Sequence, residues 1–231
     1  MARSVPPDRL EQLVDCATAV FVERGYARTQ MADVAAALGV AKGTLYLYVE
    51  SKEALFDLVA RYADAPRPFT TRPTLPVPTP KRGATLDYVR RLLQERQVPA
   101  TLRRALARSR VSGVRTELEG IVRELYETLA VHRRGIALID RSARDRPDLA
   151  ALWFEGARGG LIAGLTRYLD DRARRKLLRP LRDTTVAARL LVETIVFWAV
   201  HRHWDAHPQK VDDVVARETV VQFIVNALAK E

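Results

Sequence analysis

Apolar positions recur at helical spacing along most of the chain, and no stretch alternates with the period of a strand. Between Arg9 and Arg24 they fall at Leu10, Leu13, Val14, Ala17 and Phe21, and Gly25 closes the run. A short second helix follows, with Thr29 as its expected N-cap, Met31, Val34, Ala35 and Leu38 on one face, and Gly39 as its stop. Ala41 to Tyr48 fits a third helix. Ser51 is placed to cap a fourth, with Ala54, Leu55, Leu58, Val59 and Tyr62 on one side.

Prolines then interrupt the pattern: six of the chain's 12 lie at 66, 68, 73, 76, 78 and 80. Neither a regular helix nor an inner strand can run through such a stretch, so it reads as an extended linker or a loop packed along the surface. Beyond Gly83 the readable segments are again helical: Thr85 to Gln97, Ala100 to Arg110, Arg115 to His132, a shorter piece around Gly135 to Ala143, Asp148 to Arg175, Thr184 to Trp204 and Asp212 to Ala229. The expected architecture is all-α: a head over residues 1–65, a proline-rich linker or loop over 66–83, and a larger helical body over 84–231.

Composition narrows the class. At 231 residues, 48% apolar and 29% charged, the chain can bury a core without staples. One cysteine, Cys16, provides neither a disulfide framework nor a Cys-rich zinc site and suits a reducing cytoplasm. The apolar run Leu190 to Val200, broken by Glu193, is too short to span a bilayer, and residues 1–8 lack an apolar secretory core. The chain therefore reads as soluble and unexported. The formal charge of +10 is unevenly spread: residues 1–65 carry −2, residues 66–120 carry +8 and residues 121–231 carry +4. If the head binds a polyanion, it does so through a few placed cations, hydroxyls and helix ends, not a cationic blanket.

The block from Thr29 to Phe56 has the parts of a helix-turn-helix, which would run from Gln30 to Val49. Ala35 and Ala36 permit a close helix crossing, Gly39 the turn, and Ala41, Leu45 and Val49 recur as the buried side of the third helix. The opposite side then carries Lys42, Gly43, Tyr46 and Leu47, flanked by Thr44 and Tyr48. Such a face suits duplex DNA. Lys42 supplies charge, Gly43 lets backbone approach phosphate or a base edge, the hydroxyls of Thr44, Tyr46 and Tyr48 can donate to phosphate, and Leu47 can meet a thymine methyl. Thr29, Gln30 and Lys52 sit where helix N-terminal turns could add phosphate contacts, and Arg3 could reach a minor groove.

The block also resembles the N-terminal domain of the TetR/AcrR family of bacterial regulators. The resemblance rests on the ERGY segment Glu23 to Tyr26, Thr29, Val34 to Gly39, LGVAKGTLY from Leu38 to Tyr46, Tyr48, and SKEALF from Ser51 to Phe56, and it covers roughly residues 8–62. Val49 departs from it, since the family usually has an aromatic there, and a less filled contact is expected. The resemblance implies an all-α homodimer that reads a palindromic operator on double-stranded DNA through its third helix. It also implies repression, with release when a small molecule, here of unknown identity, binds the C-terminal domain.

In the body, the last two helices are candidates for a two-fold four-helix interface through Leu190, Leu191, Thr194, Val214, Val221, Ile224, Val225 and Leu228, although the same residues could be internal core. A glycine stripe, Gly156, Gly160 and Gly164, fits close helix crossing or room for a ligand beside Tyr126, Trp153, Phe154, Phe197, Trp198 and His201. The basic run Arg172, Arg174, Arg175, Lys176, Arg179 and Arg182 reads as a solvated helix end, with an acidic effector or partner as the other reading. His201 and His203 point to different sides of a helix, so no metal site is expected, and no cofactor is implied. The chain has no phosphate-binding loop, dinucleotide fingerprint or nucleophilic triad, which argues against an enzyme. The competing class is a helical interaction or small-molecule carrier module that has lost DNA binding.

Overall fold

The structure, a computed structural model, describes residues 8–95, 98–108, 110–111 and 113–230. Arg3 and two expected helix boundaries, Gln97 and Ser112, lie outside them. The regular elements of the described residues are all helical, and their extended pairing is limited to two isolated bridges, Val49 with Val77 and Leu178 with Ala229. None of these helices is long and apolar enough to cross a membrane. The chain divides into two compact units, residues 1–92 with 134–153, and residues 93–133 with 154–231.

The first unit begins with α1 (Arg9–Arg24), α2 (Met31–Leu38), α3 (Lys42–Leu45) and α4 (Lys52–Tyr62). The apolar stripe of α1 is buried as its spacing predicts, and Gly25 ends the helix at φ 81°, where a side chain is disfavoured. Phe21, Tyr26 and Phe56 form an aromatic cluster, with centroid separations of 5.3 Å for Phe21 and Phe56 and 5.0 Å for Tyr26 and Phe56.

The proline-rich segment packs on this head. Phe69 and Val77 are buried, and Phe69 lies 4.8 Å from the Tyr62 ring. The Phe69 amide donates to Glu11 and the Thr79 amide to Glu50, each at 2.8 Å. Side-chain carboxylates thus take up donors that cannot pair in a helix or sheet.

Three helices beyond residue 83 also belong to this unit: α5 (Ala84–Glu95) through its first residues, α8 (Arg133–Ala143) from Arg134, and the short α9 (Pro147–Ala150). The packing unit is therefore larger than a head drawn at residue 65, and polar contacts account for the addition. Asp64, just past α4, accepts from the first-turn amides of Arg134 and Gly135 at 3.0 and 3.1 Å, which satisfies donors that the helix leaves open. Asp145 accepts from the Ala27 amide at 3.0 Å, and Arg141 donates to the Glu23 carbonyl at 3.2 Å. Thr85 donates to the buried Asp57 carboxylate at 2.8 Å.

In the second unit, α7 (Val114–Val131) packs on α11 (Thr184–Ala199) and α12 (Asp213–Leu228), while α10 (Gly159–Arg174) packs on α11 and on α6 (Ala100–Ala107). The expected single helix from Asp148 to Arg175 is in fact three segments: α9 (Pro147–Ala150), a π-helical stretch (Ala151–Arg158) and α10. The wider π turns include Gly156, one of the residues that weaken a regular helix there. Gly164 sits at the crossing of α10 with α6, where a Cβ would meet Leu102 at 3.6 Å, an ordinary contact distance. Likewise, Thr184 to Trp204 ends as α11 at Ala199 and resumes as a 3-10 turn, His201–Trp204.

Candidate nucleic-acid interface

The α2–turn–α3 element is built by local chemistry. Gln30, not Thr29, is the N-cap of α2: its amide donates to Asp33 Oδ2 at 2.8 Å, while Arg24 pairs with the other oxygen of Asp33 at 2.7 Å. Gly39 takes the left-handed conformation at φ 70° and ψ 36°, its amide bonding back to Ala36 at 3.1 Å, and so redirects the chain into α3. Leu45 and Val49 are fully buried, as their spacing predicts. Ala41, which the same spacing placed with them, is exposed as the N-cap of α3.

The third helix is shorter than the sequence suggests. Regular α geometry covers Lys42–Leu45, after which Tyr46, Leu47 and Tyr48 donate to the carbonyls three residues earlier, at 3.3, 3.2 and 2.9 Å. The last turn is thus tightened, as is common where a helix ends. Val77 closes it from outside: its amide donates to the Tyr48 carbonyl at 2.7 Å, and its carbonyl accepts from the Glu50 amide at 3.0 Å. Val49 takes part in this bridge and is fully buried.

The candidate contact residues separate by exposure. Lys42, Gly43, Tyr46 and Leu47 form an open face, with Leu47 58% exposed and Tyr46 43%, and no atom within 4 Å of the place a Gly43 Cβ would take. Gln30 is exposed beside them and Thr44 half-buried.

Three candidates are committed elsewhere. Thr29 is buried, its hydroxyl donating to the Gly25 carbonyl at 2.7 Å, so it braces the turn after α1 instead of facing solvent. Tyr48 is buried at 4% exposure and leaves the set of outward hydroxyls. Lys52 donates to the Ala27 carbonyl at 3.2 Å and lies 4.5 Å over the Tyr26 ring, and burial lowers its pKa. Tyr26 is in turn pushed up to about 12 by burial and by Glu53. The amide at the start of α4 is likewise occupied, since Ser51 Oγ accepts from Ala54 at 3.1 Å.

With this geometry, comparison with known proteins becomes specific. Residues 13–59 match the model of the bacterial regulatory proteins of the tetR family. The head thus carries the DNA-binding domain that this model describes. Against the HTH-type transcriptional repressor KstR2 of Rhodococcus jostii, it is 40% identical over 53 residues, which is 23% of this chain and 26% of that protein. The match thus spans about a quarter of that relative's length. The KstR2 structure from Mycobacterium tuberculosis superposes at a TM-score of 0.55 with 18% identity, covering 100% of this chain and 98% of that one. The structure of AibR in complex with isovaleryl coenzyme A and operator DNA superposes at 0.51 with 19% identity, covering 93% and 97%. At these identities the two superpositions show the fold alone, a helix-turn-helix head and a helical body.

The body candidates are distributed as follows. Of the residues proposed for a ligand, Tyr126 is buried with its hydroxyl 3.3 Å from the Trp198 carbonyl, and Trp153 belongs to the first unit, where its indole N–H donates to buried Asp140 at 2.8 Å. Phe154, Gly160, Trp198 and His201 are half-buried, and Phe197 is exposed and edge-on to Trp198 at 5.7 Å. Trp153 thus falls in a different unit from the other six. Of the interface candidates, Leu191, Val221, Ile224, Val225 and Leu228 are buried within the unit, Thr194 is half-buried, and Leu190 and Val214 are exposed. Exposed with those two are Val186, Phe197, Val215 and Phe223. The apolar period of α12 was legible, but Phe223, 68% exposed, lies off the stripe it defines.

The basic run also divides. Arg172 is not solvated: it is 1% exposed and donates to Glu117 at 2.9 Å and to the Ala105 carbonyl at 2.8 Å. Arg179 donates to the Ala229 carbonyl at 3.1 Å, at the end of α12. His203 Nε2 lies 2.6 Å from Arg133, and burial together with that charge lowers its pKa.

Proposed function

We propose that the protein is a cytoplasmic, sequence-specific DNA-binding transcriptional regulator, a repressor that leaves its operator when a small molecule binds the helical body. The observation that carries this reading is the open face of α3: Lys42, Gly43, Tyr46 and Leu47 project together from an otherwise closed head, with charge, close-approach backbone, hydroxyl and apolar contact on one surface. These are the groups that contact phosphates and major-groove edges. The head's net charge of −2 makes placement, not bulk attraction, the source of its affinity.

A homodimer follows from the same reading. Val186, Leu190 and Phe197 on α11 with Val215 and Phe223 on α12 are large apolar side chains left to solvent, and a second copy covering them would pair two heads on a palindrome. Half-sites would then lie about 34–36 Å apart or a multiple of that. An effector would act through unequal affinity for the DNA-competent and DNA-free states of the dimer. The KstR2 repressor and the AibR complex with an acyl thioester and operator DNA support a role in regulation, not catalysis.

Selection of bound duplexes from a random-sequence pool by the purified full-length protein tests the proposal. Enrichment of a two-fold symmetric motif supports it. Recovery of an unenriched pool contradicts it and favours an interaction or carrier role.

A further inference from the structure

In the second unit, a cleft of about 540 Å³ opens between the C-terminal ends of α6 and α10. Leu106 in the last turn of α6 and Arg108 just past it line one side, and Arg167, Asp171 and Arg174 of α10, with Arg175 just past it, line the other at helical spacing. Asp170 and Arg172 complete the wall, so five guanidinium groups meet two carboxylates. We propose that this cleft binds the phosphate groups of a small phosphorylated metabolite.

The charge balance carries the argument. Asp170 accepts from the Thr184 hydroxyl at 2.6 Å. Asp171 alone faces three cations: it contacts Arg172, lies 3.0 Å from Arg175 and 4.0 Å from Arg174. Arg172 is further fixed to Glu117 and the Ala105 carbonyl, so it forms an immobile floor. Arg108 and Arg167 have no ion-pair partner among the described residues. The cleft therefore holds a net positive charge in a concave wall, where the field of like charges adds.

The dipole of α10 does not explain this arrangement. It favours cations in the helix's last turn, which covers Arg172 and Arg174. Arg167 lies two turns earlier, and Arg108 follows the end of a different helix. Both are exposed, and no internal contact accounts for their convergence on one space.

The chemistry selects the ligand. Guanidinium groups bind phosphate through paired N–H donors, and several together favour a ligand carrying more than one negative charge. The volume lies within the roughly 300–1,000 Å³ usual for small-molecule sites, and Leu106, 36% exposed, offers an apolar contact to the rest of such a molecule. The proposal is independent of DNA binding by the head.

Calorimetric titration of the full-length protein with inorganic pyrophosphate, against sodium chloride at matched ionic strength, tests it. The expected result is saturable binding, one pyrophosphate per chain, weakened about tenfold or more by Arg108→Ala and by Arg167→Ala. Because these side chains are exposed and unpaired, both variants should keep the parent's melting temperature, which separates lost binding from lost folding. Arg182→Ala, in the same basic run but outside the cleft, should leave the affinity unchanged. No saturable heat, or equal weakening by all three substitutions, would overturn the site, the latter because it signals diffuse charge attraction.

Discussion

The amide of Val77 donates to the carbonyl of Tyr48 at 2.7 Å, fastening a segment of six prolines to the end of the helix whose open face is the candidate DNA reader. Proline lacks a backbone donor and cannot continue a ladder, so a single non-proline residue makes the bridge, and its side chain is buried. Val77→Ala should cost about 1–2 kcal/mol by loss of buried methyl groups. Hydrogen exchange at the Glu50 amide should accelerate with it, whereas a segment that merely links two parts would leave that amide unaffected.

Thr29 and Lys42 predict opposite phenotypes. Thr29→Val removes the donor to the Gly25 carbonyl and should lower stability by about 1 kcal/mol, with the DNA affinity of the folded protein unchanged. Lys42→Ala should leave the urea midpoint in place, weaken binding evenly across sequences, and lower the slope of log affinity against log salt by about 1. Urea unfolding and fluorescence anisotropy on both variants check the pair.

The pairing of Arg172 with Glu117 is the most buried ion pair at the α7–α10 contact, with side chains 1% and 10% exposed. Glu117→Ala removes one of the two carboxylates paired with the buried Arg172 and leaves Asp171 as the other, so it should destabilise the protein by about 1–3 kcal/mol. A shift in urea midpoint with unchanged slope measures it, and a loss under about 1 kcal/mol would mean that water reaches Arg172.

Glu218 gives a pH signature. Arg123 and Arg217 hold its carboxylate down, from an ordinary 4.5 to about 2. A depressed carboxylate contributes stability that is fully present above its unfolded value and is lost as pH falls through the folded one. Stability should therefore decline between about pH 4.5 and pH 2, and Glu218→Gln should shallow that decline. The pair is half-exposed, so the difference should stay within about 1 kcal/mol.

Much of this organisation was legible because it is written in local chemistry. Gly25 and Gly39 end their helices, Ser51 caps α4, and Asp212 caps α12 by accepting from the Val214 amide at 2.8 Å. The open face of α3 followed from the period that buries Leu45. What was not legible depends on neighbours distant in sequence. Periodicity says that Val221 and Ile224 share a face but not whether a helix of the same chain or a second copy covers it. Thr29 and Tyr48 carry the same hydroxyl as an outward residue, and only the packing of α1 against α2 and of Val77 against α3 turns them inward. Asp64 and Asp145, which hold α8 and the turn after α1 in the first unit, give no sequence signal, since any surface aspartate looks the same.

The most direct test of the central claim is the affinity of the full-length protein for its own upstream DNA and for a random duplex of equal length, measured across a salt series with the oligomeric state followed in parallel. A dimer that prefers its own sequence by at least about a thousandfold and weakens steeply with salt is the result this account predicts. Weak binding that ignores sequence, or a DNA affinity that Lys42→Ala and Leu47→Ala leave unchanged, would contradict it.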